Sequence, residues 1–315
     1  MIRLAALLLL GLAGLPGCRF DDDDAYRIRT RTSLLLVRDS AGMLGLWRLA
    51  DGAADSAWER TLGLETGALR GADAAAGRCW LADGPGGRML EADLVAETVL
   101  RTYPMRNPGL VCAGERYLLC ADTSQARLIW YRMGRSDSTG RAAPAKPRII
   151  RYHAGKFFVA FHDGQLGVYH EQALAPLYID TLESPALDLQ WDGVRYLVAR
   201  IDRGSRRFEA RMSYSTNRLE PQLQEISASK IRYTPFRRTE YGAEWLTAVR
   251  LQNGQLDVPG APAADDFEAD FREGVLWIQR TDTLFRHEIR PGAATPAGLL
   301  RGRMLQSWHD AGPES

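Results

Sequence analysis

One short pattern recurs along most of this 315-residue chain and restricts its fold more than any other feature. Each copy is a run of β-branched, aromatic and leucine residues of strand length, which ends in an Asp or Asp-Gly turn and is followed by a second apolar segment. The clearest copies begin at Gly77, Gly114, Gly155 and Gly193, weaker copies begin at Gly242 and Gly274, and a copy without the glycine begins at Ser33. The chain is therefore built from similar, strand-forming units.

The spacing of the copies favours a β-propeller. Successive glycines lie about 40 residues apart, and that period with about four strands per unit is typical of propeller blades. Another strand-like segment precedes many of the glycines, as in Ile149–Tyr152, and a third often follows, as in Thr98–Tyr103. We predict an all-β chain that forms a single β-propeller of seven blades, with six or eight as alternatives, each of three to four antiparallel strands.

The units resemble those of the broad group of bacterial propellers with YVTN-, NHL- or quinoprotein-like blades. The segment Trp80-Leu81-Ala82-Asp83 carries this resemblance most clearly, and it extends over nearly all of residues 26–310. The Gly-His and Trp-Asp pairs that mark WD repeats are missing. The resemblance implies a propeller but no particular activity, because one fold hosts many functions.

The N-terminus has the order of a secretory signal peptide: Arg3, then an apolar run, then small residues. The apolar run is shorter than the about 20 residues of a transmembrane helix. The ending Leu15-Pro16-Gly17-Cys18 resembles the lipobox of bacterial lipoproteins. That resemblance implies cleavage between Gly17 and Cys18 and lipid attachment to Cys18. An ordinary signal peptide with a chance cysteine is the alternative.

The residues after Cys18 indicate at which membrane the lipid-anchored protein is expected. Arg19 stands where lipoproteins of the inner membrane often carry aspartate, which favours the cell outer membrane, on either its periplasmic or its surface side. The acidic run Asp21, Asp22, Asp23 and Asp24 resembles the surface-export signal of Bacteroidetes lipoproteins, and it also fits an extended, solvated tether. We assign 1–17 to the signal peptide, 18–25 to the lipidated cysteine and tether, 26–310 to the propeller and 311–315 to a C-terminal tail.

Composition narrows the class of partner. With 45% hydrophobic residues, 25% charged residues and a net charge of +1, the chain is globular and lacks the basic field that nucleic acid binding requires. Cys79, Cys112 and Cys120 lie in apolar runs and are predicted to be buried thiols, with a Cys112–Cys120 disulfide as the alternative. The predicted partners are therefore the membrane, through the lipid, and a protein or glycan.

No catalytic motif is found in the sequence. It has no Gly-x-Ser-x-Gly elbow, phosphate loop or sialidase-type Asp box. His153, His162 and His170 fall within one predicted blade without metal-ligand spacing, so we predict no catalytic residue, no metal and no cofactor. One set of aspartates recurs at a single place in the repeat, which predicts turn formation: Asp39, Asp83, Asp122, Asp163 and Asp202.

Two polar segments interrupt the repeat and are predicted to be loops, Gly134–Pro147 and Val258–Asp266. Four tryptophans inside or beside predicted strands are expected to pack in the core: Trp80, Trp191, Trp245 and Trp277. Trp58 and Trp308 are candidates for solvent exposure, where a sugar or a partner can stack.

These observations favour a non-enzymatic cell-envelope lipoprotein whose propeller binds a protein, peptide or glycan partner. The alternative is a propeller enzyme, a hydrolase or lyase, that acts on extracellular carbohydrate at the mouth of the central channel. Carboxylates or histidines converging on that channel would favour the enzyme, and their absence would favour binding.

Overall fold

Short strands of two to eight residues account for most of the described chain. The computed structural model describes residues 33–309 except for 40, 42, 51–52, 56–57, 66, 76, 95, 123, 174, 235–238, 242–243, 247, 272–273, 290–294 and 300–302. The predicted signal peptide, tether and tail, with Gly17, Cys18 and Asp21–Asp24, lie outside the described residues. No helix in the described ranges is long and apolar enough to cross a membrane.

The strands form sheets in chain order, with the two ends of the described chain sharing the first sheet. That sheet contains β1 (Ser33–Arg38), β2 (Leu44–Ala50) and β3 (Ala53–Asp55), and α1 (Trp58–Thr61) follows β3. The second sheet contains β4 (Leu69–Ala75), β5 (Arg78–Asp83), β6 (Arg88–Asp93) and β7 (Thr98–Pro104). The third contains β8 (Pro108–Ala113), β9 (Tyr117–Asp122), β10 (Arg127–Arg132) and β11 (Ser138–Ala142). The fourth contains β12 (Pro147–His153), β13 (Lys156–Phe161), β14 (Gln165–His170) and β15 (Pro176–Thr181).

The remaining strands continue the series. The fifth sheet contains β16 (Asp188–Trp191), β17 (Tyr196–Arg203), β18 (Arg206–Ser213) and β19 (Gln224–Ile226). The sixth contains β20 (Lys230–Tyr233), β23 (Ala248–Gln252) and β24 (Gln255–Leu256), with a separate hairpin of β21 (Thr239–Tyr241) and β22 (Glu244–Leu246) between β20 and β23. The seventh contains β25 (Asp266–Asp270), β26 (Val275–Arg280), β27 (Thr283–Glu288) and β28 (Thr295–Leu299). The last strand, β29 (Arg303–His309), returns to the first sheet and pairs with β1.

Each sheet has a first strand at the same edge, which is β29 in the first sheet and the earliest strand in the chain in every other sheet. These first strands form a closed ring. β4 contacts β8, β8 contacts β12, and the series continues through β16, β20, β25 and β29 back to β4. Neighbouring strands within each sheet are antiparallel. The all-β, propeller-like fold is therefore confirmed. The described residues contain seven sheets of this kind, but segments around the sixth sheet are not described, so the number of blades stays a prediction.

The repeat glycines mark the turn between the first and second strands. Gly77, Gly155, Gly193 and Gly274 have φ values between 67° and 82°, in the left-handed region that glycine adopts without strain. Gly114 is needed for a different reason, because a Cβ there would lie 2.5 Å from the Glu171 carboxylate of the next sheet. We call this end of the sheets the glycine end and the opposite end the aspartate end.

The recurring aspartates make turns at the aspartate end, as predicted. Asp83 accepts a hydrogen bond from the N–H of Gly86, and Asp122, Asp163 and Asp39 likewise accept from backbone N–H groups two to four residues ahead. Asp202 is the exception. It lies inside β17, because β17 and β18 are longer than the corresponding strands of the other sheets and their turn begins two residues later.

The core lies between neighbouring sheets and consists largely of second-strand residues. One cluster joins Phe158 and Ala160 of β13 to Leu197 and Ala199 of β17. Burial on both faces of these strands explains their nearly continuous apolar sequence. Tryptophans on two second strands, Trp80 and Trp277, are buried as predicted.

All three described cysteines are buried and free. Cys112 pairs in register with Leu119, and Cys120 pairs with Val111, so the two cysteines point to opposite faces of the third sheet. The Cys112–Cys120 disulfide is therefore not formed, and the prediction of buried thiols is confirmed.

One predicted loop is wrong and one is confirmed. The segment Gly134–Pro147 contains β11, the fourth strand of the third sheet, and all five β11 residues are exposed. An outermost strand with both faces in water needs no apolar residues, so its sequence resembles a loop. The segment Val258–Asp266 does link β24 to β25 as a loop, with Val258 and Ala264 buried beneath it.

Candidate functional site

A chain of buried charges joins the first strands of the fifth, sixth and seventh sheets. Arg232 of β20 donates to Asp188 of β16 at 2.6 Å and to Glu268 of β25 at 2.7 Å. Lys230, two residues earlier on β20, pairs with Glu268 at 2.7 Å and with Asp266 at 2.8 Å. Negative and positive groups alternate along this chain. Every charge thus has an opposite neighbour, which the burial of ionic groups requires.

The protonation states follow from these pairs. Burial raises the pKa of Asp188, but the guanidinium groups of Arg232, Arg151 and Arg200 more than offset it and lower the pKa to about 2. Burial likewise raises the pKa of Glu268, and the neighbouring Arg232 and Lys230 reverse the shift, so its pKa is lowered. Both carboxyl groups are ionised at neutral pH and serve as hydrogen-bond acceptors.

Two aspartates on first strands also bind the backbone of the next sheet. Asp73 of β4 accepts from the N–H of Ala113 on β8 at 2.7 Å. Asp266 of β25 accepts from the N–H of Met304 on β29 at 3.0 Å. Each bond joins two adjacent first strands, Asp73 near the glycine end and Asp266 at the aspartate end, so the carboxylates act as ties between sheets.

The pKa of Asp73 is shifted in the opposite direction from the pKa values of Asp188 and Glu268. Burial raises its pKa, and the N–H of Ala113 and the charge of Arg151 oppose that shift only in part. Arg151 also lies 3.9 Å from the ionised Asp188. Arg151 therefore interacts with two carboxyl groups, one whose pKa is raised by burial and one whose pKa is lowered by neighbouring guanidinium groups.

A cluster of half-buried rings lies at the glycine end, between the fourth and fifth sheets. His153 stacks on Trp191 with ring centroids 4.0 Å apart and an interplanar angle of 19°. Tyr214 stands edge-on to both rings, with centroids 5.6 Å away. The ammonium group of Lys156 lies 3.8 Å from the centre of the Tyr214 ring, a cation–π contact.

Hydrogen bonds hold these rings in place. The Tyr214 hydroxyl donates to the carbonyl of Ala154 at 2.6 Å. Lys156 donates to the carbonyl of Tyr214 at 2.7 Å and to the side-chain oxygen of Asn217 at 2.8 Å. The loop between β18 and β19 is thereby fixed against the first turn of the fourth sheet.

A second group of rings and cations continues the cluster on the fifth sheet. The guanidinium groups of Arg195 and Arg211 lie 4.8 and 6.0 Å from the centre of the Tyr196 ring. The N–H of Tyr214 donates to the carbonyl of Arg195 at 2.9 Å, which joins the two groups. We call the whole set the aromatic–cation surface; it consists of His153, Lys156, Trp191, Arg195, Tyr196, Arg211 and Tyr214.

The aromatic–cation surface was only partly visible in the sequence. Trp191 was expected in the core with Trp80 and Trp277, but it is half-buried at the end of β16. One signal of this exposure was available in the sequence, because Trp191 is the last residue of a short strand and directly precedes a turn. The side chains of Trp58, Trp245 and Trp308 lie outside the described part of the structure.

The histidines of the fourth sheet do not converge. His153 ends β12, His162 lies in the turn after β13, and His170 ends β14. Among the described residues, no three His, Cys, Asp or Glu side chains are placed to hold a metal ion together.

A cavity of about 300 Å³ opens at the aspartate end between the sixth and seventh sheets; it is lined by Ser229, Lys230, Leu251, Asp265, Asp266, Gln279 and Thr281. Its polar groups bind one another. Asp265 accepts from the N–H of Thr281 at 2.6 Å, and the Ser229 hydroxyl donates to the carbonyl of Leu251 at 3.0 Å. The cavity therefore presents mainly groups that already have partners.

Comparison with known proteins identifies a fold and no family. No protein-family model and no curated protein matches the chain. A solved structure of hydrazine synthase from Kuenenia stuttgartiensis is similar at a TM-score of 0.53 and 12% identity, over 70% of this chain and 77% of that one. A chain of a mitotic checkpoint complex is similar at a TM-score of 0.51 and 9% identity, over 85% and 80%. The fold is propeller-like. At these identities the likeness extends to the fold alone.

The buried charge chain predicts a large stability difference between two arginine variants. Arg232→Met leaves Asp188 and Glu268 without their main counterion, so we expect unfolding free energy to fall by about 3–5 kcal/mol. Arg250→Met removes an exposed pair with Asp257, 3.3 Å apart, and should cost about 0–1 kcal/mol. Urea unfolding of both variants measures this; equal losses would contradict the structural role of the chain.

His153 predicts a pH-dependent stability. Burial lowers its pKa below 6.5, against the smaller opposing effect of Asp192. As pH falls through about 6.5, the unfolded chain takes up the proton first, so the free energy of unfolding decreases until the folded-state pKa is passed. His153→Phe should remove this part of the pH slope, whereas His170→Phe, at an exposed position, should keep it. Identical slopes for the wild type and His153→Phe in urea unfolding between pH 5 and 8 would refute the assignment.

Proposed function

We propose that this protein is a non-enzymatic lipoprotein of the cell envelope that binds a protein or glycan partner through the aromatic–cation surface. The observation that carries the proposal is the grouping of half-exposed Trp191, Tyr196 and Tyr214 with Arg195 and Arg211. Tryptophan, tyrosine and arginine are the residues that most often dominate the binding energy of interfaces.

The fixed geometry of the surface supports this function. Binding costs free energy when loops and side chains have to be ordered, and a surface that is already ordered avoids much of that cost. Lys156 and the Tyr214 hydroxyl fix the β18–β19 loop. Asp192 fixes the turn before β17 by accepting from the N–H groups of Val194 and Arg195 at 2.9 Å each.

The location in the envelope rests on the sequence. The lipobox-like ending before Cys18 implies a lipid anchor, and Arg19 with Asp21–Asp24 implies an outer-membrane protein on an acidic tether. In this proposal the tether leaves the propeller-like domain in water close to the membrane. A partner of the same compartment then lies within its reach.

Photo-crosslinking on intact cells tests the binding function. Val194 is 55% exposed beside the aromatic–cation surface, so a photoreactive residue there should yield a discrete adduct. Val99, 42% exposed on β7 of the second sheet, provides the matched control position and should yield none. Trp191→Ala should abolish the Val194 adduct by removing the stacked ring. An adduct that survives this change, or that forms equally from Val99, would place binding elsewhere.

A second candidate function is the cleavage of carbohydrate by a hydrolase or lyase mechanism, and Asp73 and Asp188 support it. An enzyme divides acid and base roles between groups whose pKa values are pushed apart, and the pKa of Asp73 is raised while that of Asp188 is lowered. The binding proposal instead treats both as ties between sheets, because their oxygens accept hydrogen bonds from Ala113 and Arg232.

Turnover assays separate the two candidates. We expect the purified mature domain to release no product from peptidoglycan fragments or envelope polysaccharides. Asp73→Asn provides the control, since it keeps the shape of the side chain and removes its acid function. Product formation by the wild type that is lost in Asp73→Asn would overturn the non-enzymatic proposal in favour of the enzyme.

A further inference from the structure

Resting on the proposed function, we infer that the partner of the aromatic–cation surface is a protein segment that presents carboxylates beside an apolar side chain. Three features of the surface lead to this inference. Two exposed arginines at or beside it have guanidinium groups without ion pairs among the described residues, two nearby acids accept hydrogen bonds within the protein, and each ring has one face covered.

The outward groups are Arg195, a member of the surface, and Arg218, which lies beside it on the β18–β19 loop. Arg195 is exposed next to Tyr196, and Arg218 is exposed with its guanidinium group 5.6 Å from the centre of the Tyr178 ring. Among the described residues, neither guanidinium group makes a hydrogen bond or an ion pair. Each therefore offers a planar set of N–H donors, which suits a carboxylate.

The acids around these arginines are engaged internally. Asp192 accepts from three backbone N–H groups, those of Val194, Arg195 and Tyr196. Glu209 is only 3% exposed and accepts from the Tyr233 hydroxyl at 2.8 Å. Both carboxylates thus have partners within the protein.

Two exposed carboxylates lie near this region: Glu115, on the turn before β9, and Glu220, whose N–H donates to the carbonyl of Arg211 at 2.7 Å. Burial and, after it, the Glu115 charge raise the pKa of Tyr214. Among the described residues neither carboxylate pairs with Arg195 or Arg218, so both guanidinium groups remain open to a partner, whereas Arg211 already lies 3.7 Å from the buried Glu209. An anionic partner is favoured by charge complementarity.

The rings favour a protein over a glycan. Saccharides bind aromatic side chains by lying against an open ring face. Trp191 has one face stacked on His153, the Tyr214 ring is covered by the ammonium group of Lys156, and the Tyr196 ring lies under Arg195. One face of each ring is therefore covered, which reduces the open ring area against which a sugar could lie.

Val194 offers an apolar contact to the partner segment. It is the most exposed of the large hydrophobic residues among those described, at 55%, and it lies between Trp191 and Arg195 in the chain. A segment with carboxylates on either side of an apolar residue places the apolar group on Val194 and the charges on the arginines. Arginine is enriched at protein interfaces, in which an apolar core is surrounded by a polar rim.

Fluorescence anisotropy with labelled probes tests the inference on the mature protein. The probes are a glutamate-rich peptide with one central leucine, the same peptide with lysine for glutamate, and a hyaluronan oligosaccharide as an anionic glycan. We expect the glutamate peptide to bind, more weakly at higher salt because exposed charges are screened. The lysine peptide and hyaluronan should bind at least about tenfold more weakly.

Two arginine variants locate the binding. Arg195→Gln should weaken binding of the glutamate peptide about tenfold. Arg203→Gln is the matched control, an exposed arginine of the same sheet at the aspartate end, paired with Glu183, and should change affinity little. Equal binding of hyaluronan and the glutamate peptide, or equal losses in both variants, would overturn the inference. A Trp191-dependent adduct at Val194 would still uphold the proposed function in that case, whereas loss of that adduct would defeat the function itself.

Discussion

The pairing of buried charges between first strands is the constraint on which the rest of the structure depends. Arg232 and Lys230 stand on one strand, and their counterions stand on the strands to either side. Because an unpaired charge in the interior is costly, these strands have to stay next to one another for the groups to keep their counterions. The fifth, sixth and seventh sheets are thereby fixed relative to one another. Asp266 extends the tie to the closing strand β29.

The strand β16 links this interior to the aromatic–cation surface. Asp188 at its start belongs to the charge chain, and Trp191 at its end belongs to the surface. Between them, Gln190 donates to the Asp188 carboxylate and to the carbonyl of Ile231, both at 2.8 Å. A strand held at this many points leaves Trp191 little freedom. The binding surface is therefore ordered by the same interactions that hold the sheets together.

The sequence predicted the parts of the fold that are local. Glycine turns, short apolar runs and aspartate turns each depend on neighbouring residues, and Gly155, Phe158 and Asp163 behave as their patterns indicate. The exposed strand β11 was missed because an outer strand in water carries no apolar periodicity.

The site depends on contacts that a single sequence does not display. Arg232 lies far from Asp188 and Glu268 in the chain, and they meet only because first strands of successive sheets are neighbours. The same holds for His153 and Trp191, which belong to different sheets. Trp191 was expected in the core because a strand-like segment contains it, and only the position of the turn shows that its ring reaches the surface.

Amide hydrogen exchange on the free mature protein tests the central claim, which is that the fold itself orders the aromatic–cation surface. The N–H groups of Val194 and Tyr196 bind Asp192, and the N–H of Tyr214 binds the carbonyl of Arg195. We predict that these amides exchange nearly as slowly as those of the buried strand β13, without any partner present. Exchange as fast as in an open loop would contradict the account, because the surface would then have to be ordered by its partner.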